Sequence, residues 1–449
     1  MFKLSSLNPF SHPDRDAYTG IDFNYGFSVS HYNLELTYRV EPNLLQGQAT
    51  LTLTTVDEPL RQLTLDLANN MVARRVTCSG APRVTKFRQS NNKLRLNFAD
   101  DIPPETEFTL VIRYGGNPQP LRTPWGDIGW EETESGALVA SQPNGAPSWF
   151  PCDDTPGEKA WYDITITADN PFTVVSNGEL ESRKSQGATT RWHYRPTAPM
   201  ATYLATVQVG EFTQSALGDN TRAWYPAELS APVREEFSRQ QEMLEFLESR
   251  FGEYPFPHYG VVVTADELEI PLEAQGLSIF GSNHVRGDHA FERLIVHELS
   301  HQWFGNACGI DDWQNIWLNE GFACYSEWLW LEHSTGTPAH DTARSHYNVL
   351  RHKAQDIEVG NPGPRDMFDD RVYKRGALTV HSLRRLLGDA AFFPAIQAYL
   401  AQGRHGTVSP AGLTKHLHTA ADQVGVPHES VDKLLEAWLD AKELPEFPA

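Results

Sequence analysis

At 449 residues the chain is too long for one ordinary hydrophobic core, so two or three domains are expected. Its 40% hydrophobic content, with 12 Trp and 22 Phe, suffices to fill real cores. A net charge of −21 excludes nucleic acid, whose phosphates would be repelled, and a basic membrane-surface patch. No run of about 18 apolar residues exists to span a bilayer. The opening Met1-Phe2-Lys3-Leu4-Ser5-Ser6 lacks the unbroken apolar region of a signal peptide. Cys78, Cys152, Cys308 and Cys324 are far apart and form no CxxC pair, so reduced, packed thiols and a cytoplasmic location are expected.

In chain order, the first half reads as β structure. Tyr32, Leu34, Leu36, Tyr38 and Val40 alternate with Asn33, Glu35, Thr37 and Arg39, the period of a half-buried strand. Ala49, Leu51 and Leu53 continue the pattern after a turn at Gly47, and 108–114 and 162–168 read as further strands. Asn177-Gly178 is a hairpin signal. Short strands with turn punctuation imply a sandwich or a large curved sheet. Beyond about Phe212 the character changes. A helix is expected over 232–251, with Pro232 in its first turn and Val233, Phe237, Leu244, Leu247 and Phe251 on one stripe. Ser409-Pro410 caps and opens another. With no repeat, low-complexity tract or long linker, the expectation is a domain at 1–212 packed directly on one at 213–449.

The chemistry concentrates in His297-Glu298-Leu299-Ser300-His301 and in Glu320. Phe291 to Val296 form a helix-compatible lead-in free of Gly and Pro. On a helix, positions i and i+4 share a face, so His297 and His301 can converge on one ion. Glu298, beside the first ligand, can reach an attacking water without ligating. Glu320 opens a second stretch with helical aromatic spacing and can supply the third ligand. Three protein ligands leave a fourth position open, the mark of a catalytic rather than a structural zinc. One Zn2+ ion is expected. The bland alternative is an amphipathic helix with partly buried histidines, and Glu320 weighs against it. His258, His284, His289 and His381 lack ligand spacing, Asp311-Asp312 reads as a polar turn, and Glu327 is either a support for the site or structural.

From Glu292 to Trp330 the chain resembles the zinc core of the M1 (gluzincin) aminopeptidases. That stretch includes His301-Gln302-Trp303-Phe304-Gly305-Asn306 and Trp317-Leu318-Asn319-Glu320-Gly321-Phe322-Ala323. Trp149-Phe150-Pro151-Cys152-Asp153-Asp154 and 203–212 resemble segments of that family's amino-terminal β domain. Tyr373-Lys374-Arg375-Gly376-Ala377-Leu378 resembles its catalytic tyrosine segment. The resemblance implies an α+β fold, with an N-terminal saddle-like all-β domain followed by a thermolysin-like, mainly α catalytic domain. It implies release of single residues from peptide amino termini, with His297, His301 and Glu320 holding zinc. Glu298 would be the general base and Tyr373 the hydrogen-bond donor to the oxyanion.

The family's Gly-x-Met-Glu-Asn motif, whose glutamate binds the substrate ammonium, corresponds here to Ile270-Pro271-Leu272-Glu273-Ala274. The resemblance thus makes Glu273 the amine anchor, although the motif's Gly and Asn are absent and Pro271 removes a backbone donor. Glu267 and Glu269 remain neighbouring alternatives. Gln142 falls where a family glutamine lines the amine and first side-chain pocket, before a short loop at 143–148. Many relatives continue into a large helical domain, whereas this chain ends soon after Tyr373, which implies an open cleft tolerant of longer peptides. A monomer acting on peptides with a free amino terminus is expected. The alternatives are a zinc endopeptidase or an epoxide hydrolase on the same core. A peptide-binding protein with a decayed site is disfavoured because ligands, base and tyrosine are all present.

Overall fold

The computed structural model describes residues 15–448. It separates into two compact units, Met1–Gly210 and Glu211–Ala449. The first is built of strands, and its largest sheet follows from the alternation read above. β1 (Phe27–Arg39), β2 (Leu44–Thr55), β3 (Met71–Ser79) and β4 (Glu107–Gly116) are followed by β5 (Lys159–Asp169), β6 (Glu179–Gln186) and β7 (Thr189–Arg195). Their spatial order is β6-β7-β5-β1-β2-β4-β3. β1 runs antiparallel to β2, with Leu34 opposite Ala49, and parallel to β5, with Leu34 opposite Ile164. Those three residues are fully buried, so one face of the sheet is core. A second sheet runs Leu121–Thr123, Gly126–Thr133, Gly136–Ala140, Val207–Gly210, Thr173–Ser176, and a third joins Leu60–Asp66, Lys93–Ile102 and Val84–Ser90. Trp130, Trp149, Tyr38 and Phe150 fill the interior with edge-to-face and tilted contacts.

Asn177-Gly178 is not a hairpin turn. Thr173–Ser176 pairs with Val207–Gly210, whereas β6 pairs with β7, so the dipeptide is a corner where the chain leaves one sheet for another. Its chemistry is a corner's: Asn177 is fully buried, donates to Leu204 O at 2.9 Å and accepts from Thr206 N at 2.7 Å. Gly178 has φ +85°, and a Cβ there would sit 2.3 Å from Pro196 N.

The second unit begins with a mixed sheet of Phe212–Ala216, Thr221–Pro226, Tyr259–Val263, β9 (Leu277–Phe280) and, at its edge, β8 (Leu272–Ala274). Helices α1 (Ser230–Glu236) and α2 (Gln240–Phe251) lie in the chain between Thr221–Pro226 and Tyr259–Val263, and α3 (Glu292–Ser300), α4 (Trp317–Thr335), α5 (Ala339–Leu350) and α6 (Asp370–Leu387) follow the sheet. Three more helices, Asp389–Gly403, Pro410–Val424 and His428–Leu435, come after them. Ser409 caps Pro410–Val424 as expected, accepting from Gly412 N at 3.2 Å. The single helix expected over 232–251 is broken between Glu236 and Gln240. Glu236, fully buried at the break, accepts backbone N–H bonds from Arg286, Gly287, Asp288 and Phe291. Its carboxylate thereby ties α1 to the loop that leads into α3.

Candidate metal centre

α3 carries His297 and Glu298 and has His301 as its C-cap, still in helical conformation, and α4 carries Glu320 in its first turn, where the helix dipole favours an ionised carboxylate. α4 is buried continuously from Trp317 to Trp330, which makes it the central helix of this unit. α6 brings Tyr373 to the same place by a close crossing of α4. A Cβ on Gly376 would lie 2.9 Å from the Cα of Gly321, and a Cβ on Gly321 would lie 2.9 Å from the carbonyl carbon of Gly376. Two glycines in helix interiors, each a local cost, are explained by that approach.

The helical spacing does what it promised. His297 Nε2 and His301 Nε2 lie 3.4 and 3.5 Å from Glu320 Oε2, and the three donor atoms fall within 4.8 Å of one another. The outer ring nitrogens settle the tautomers. His297 Nδ1 is 2.8 Å from Glu327 Oε1, and His301 Nδ1 is 3.0 Å from Phe304 O. Both partners are acceptors, so each Nδ1 carries a proton and each Nε2 faces inward. Three buried donor atoms then face one point, an arrangement that can hold a cation. Two imidazoles and one carboxylate form the donor set that suits zinc. The electrostatics agree. Burial alone would pull both imidazoles down, yet Glu320 and the surrounding carboxylates lift His297 to about 9 and His301 to about 10, so without an ion each ring holds a second proton on Nε2 that a bound metal would displace. Burial raises the Glu320 carboxyl, but His301 and His297 outweigh it and hold it near 2.

Around the donor set lie the groups that can act on a substrate. Glu298 is buried, and its carboxyl is pushed up by that burial. Tyr373 stacks on the His297 ring at 6.1 Å, and burial with the charges of Glu320, Glu273 and Glu298 raises its phenol well above the ordinary value. It is therefore a proton-bearing donor at neutral pH. Glu273 on β8 brings a carboxylate oxygen within 4.8 Å of ligand atoms of Glu298 and His301. Glu267 and Glu269 lie outside β8, in the 264–271 segment that precedes it. Gln142 belongs to the other unit, after Gly136–Ala140, and precedes a cis peptide with Pro143.

Three further groups serve the centre. Glu327, with a side chain 3% exposed, binds His297 and accepts at both oxygens from Arg293 Nη1 at 3.2 Å. Lys374 Nζ stands 4.0 Å from the same carboxylate and 3.2 Å from Cys324 Sγ. The position of Glu327, two helical turns beyond Glu320 on one face, was its only signal in the sequence.

The Peptidase family M1 domain matches residues 235–438, and the Peptidase M1 N-terminal domain matches residues 28–204. This chain belongs to the M1 peptidase family. The M1 zinc metallopeptidase of Deinococcus radiodurans superposes with a TM-score of 0.83 at 27% identity, covering 97% of this chain and 99% of that one. A variant of it bound to a Tyr-Ser-Ala substrate gives 0.84. Aminopeptidase Ey of Gallus gallus is 27% identical over 67% of this chain and 34% of its own length. Aminopeptidase M1-D of Oryza sativa subsp. japonica is 25% identical over 91% of this chain and 49% of its own. This M1 chain thus spans between a third and a half of these curated relatives. Its two-domain order, all-β then mainly helical, is that of the family, and its donor set fits the family's single zinc ion. Among the described residues no helix is long and apolar enough to cross a membrane.

Proposed function

We propose that this M1 chain is a zinc aminopeptidase that removes single residues from the free amino terminus of peptides. The observation that carries the reading is the placement of Glu273 against Glu298 and His301. An anion fixed beside a hydrolytic centre measures out one residue, because an α-ammonium held there leaves only the first peptide bond within reach of the base. Zinc, when bound, polarises the scissile carbonyl and lowers the pKa of water towards about 7. Glu298 takes the proton of the attacking water and returns it to the leaving nitrogen. Tyr373 donates its phenol hydrogen to the oxyanion that develops on the carbonyl. Glu327 and the Phe304 carbonyl hold the imidazoles in the tautomer that presents Nε2.

The same reading takes the protein to act on peptides, as a monomer, in the cytoplasm. Hydrolysis of leucine p-nitroanilide beside its N-acetylated twin tests the activity. Cleavage of the free-amine compound alone supports an aminopeptidase. Equal cleavage of both would assign an endopeptidase, and cleavage of neither would sink the peptidase reading for these substrates.

A further inference from the structure

Gln302 directly follows the ligand His301, and its side chain reaches the turn between β8 and β9. Its Nε2 donates to Ala274 O at 3.1 Å, and its Oε1 accepts from Gly276 N at 2.7 Å. Asn306 Nδ2 donates to the same Ala274 carbonyl at 2.9 Å. Both side chains are fully buried. A primary amide offers a donor and an acceptor side by side, so it matches the C=O and N–H of the turn as a paired strand would. A buried amide with both ends engaged fixes geometry strongly, since losing either bond leaves a polar group unmet.

That geometry matters because β8 is a short edge strand. The strand is three residues long, lies at the sheet edge and, among the described residues, pairs with β9 alone. Pro271 precedes it and contributes no N–H. Ala274 and Leu277 close a two-residue loop, Gln275-Gly276, with Gly276 at φ +72°. Glu273 is the residue before Ala274, so the amide that grips Ala274 and Gly276 grips the backbone next to the carboxylate.

We propose that Gln302, supported by Asn306, is the positioning residue that sets the Glu273 carboxylate relative to the metal ligands, and through it the recognition of the substrate ammonium. Substrate-amine recognition is thereby keyed to the segment that carries His301, rather than to the sheet. The inference rests on the reading of Glu273 as the amine anchor.

The test compares zinc-loaded wild type with Gln302→Met, which keeps volume and removes both polar atoms. Leucine p-nitroanilide and its N-acetylated twin are the substrates, with zinc content measured on the same samples. A positioning role predicts a KM for the free amine raised about tenfold or more, kcat held within about threefold, and unchanged zinc. The preference for the free amine falls by the same factor. A purely structural clamp would lower thermal stability and leave that preference intact, and this result overturns the proposal. Parallel loss of zinc and of kcat would overturn it too. Wild type without a free-amine preference refutes the amine-anchor reading and the positioning role together, whereas a preference that survives Q302M refutes the positioning role alone. Should Q302M not fold, Asn306→Asp removes the Nδ2 donor to Ala274 while keeping its shape, and carries the same expectation in smaller measure.

Discussion

Replacing Glu327 by Gln should weaken zinc binding about tenfold without touching a ligand. The carboxylate accepts from His297 Nδ1 at 2.8 Å and is 3% exposed, so the bond is dry and charge-assisted. Burial raises Glu327's pKa, but its hydrogen bond to His297 and the charges of Lys374, His297 and Arg293 bring it below the usual carboxylate range. It is ionised at neutral pH. Hydrogen bonds to charged groups contribute about 1.5–3 kcal/mol, which corresponds to roughly 10- to 100-fold in metal affinity. The Gln variant keeps an acceptor for the Nδ1 proton and belongs at the low end; Glu327→Ala belongs at the high end. Arg293 is largely exposed and rehydrates when its partner is neutralised. The assay is competition for zinc between dialysed apoprotein and a chromophoric chelator, with apoprotein Tm as a control on packing. A zinc Kd within twofold of wild type for E327A would refute the argument that this carboxylate orients His297.

Other outcomes follow from single contacts. Tyr373→Phe should lower kcat about 100-fold or more with little change in KM or Tm, as steady-state kinetics will check, if its hydroxyl donates to the developing oxyanion as proposed. Gly376→Ala inserts a methyl 2.9 Å from the Gly321 Cα and should cost about 1–3 kcal/mol, read as a lowered Tm, with activity falling as Glu320 and Tyr373 are pushed apart; an unchanged Tm would contradict the close crossing. Asp153 is raised by burial, then by the charge of Glu158, to about 7 against 3.8 unfolded, while its bonds from Asn24 and Thr155 oppose the shift. The folded state therefore holds the proton more tightly, so this group's contribution is full below about pH 4, declines as pH rises and is lost above about 7. The difference is roughly 4 kcal/mol. Asp153→Asn should accordingly gain stability relative to wild type between pH 5 and pH 8 in urea unfolding, and a pH-independent difference would count against the buried charge.

What was legible in the sequence was local in period. The alternation of Tyr32, Leu34, Leu36 and Tyr38 marked β1 because a strand's faces repeat every two residues. His297, Glu298 and His301 were legible because a helix repeats near four. Where long-range partners decide, the pattern fails. The stripe from Val233 to Phe251 cannot announce a break at Glu236 whose partners are the backbone amides of 286–291. Asn177-Gly178 has hairpin chemistry, but its side chain answers Leu204 and Thr206 instead. Gln302 stood in the motif as a letter; its role lies in Ala274 and Gly276, residues no spacing rule connects to it.

The supports of the centre are divided among elements in a way that separates the chemistry into independent parts. α4 steadies His297 through Glu327, the turn after α3 steadies Glu273 through Gln302, and the glycine crossing of α4 and α6 places Tyr373. Glu327 acts on an outer ring nitrogen and Gln302 on a backbone turn, so their substitutions should show up in different observables. Mutations without shared partners usually combine additively. In the E327Q/Q302M double variant, zinc Kd should therefore move only as far as in E327Q, and KM at saturating zinc only as far as in Q302M. A double variant whose KM at saturating zinc exceeds that of Q302M severalfold would mean that His297 and Glu273 are held by one network rather than two.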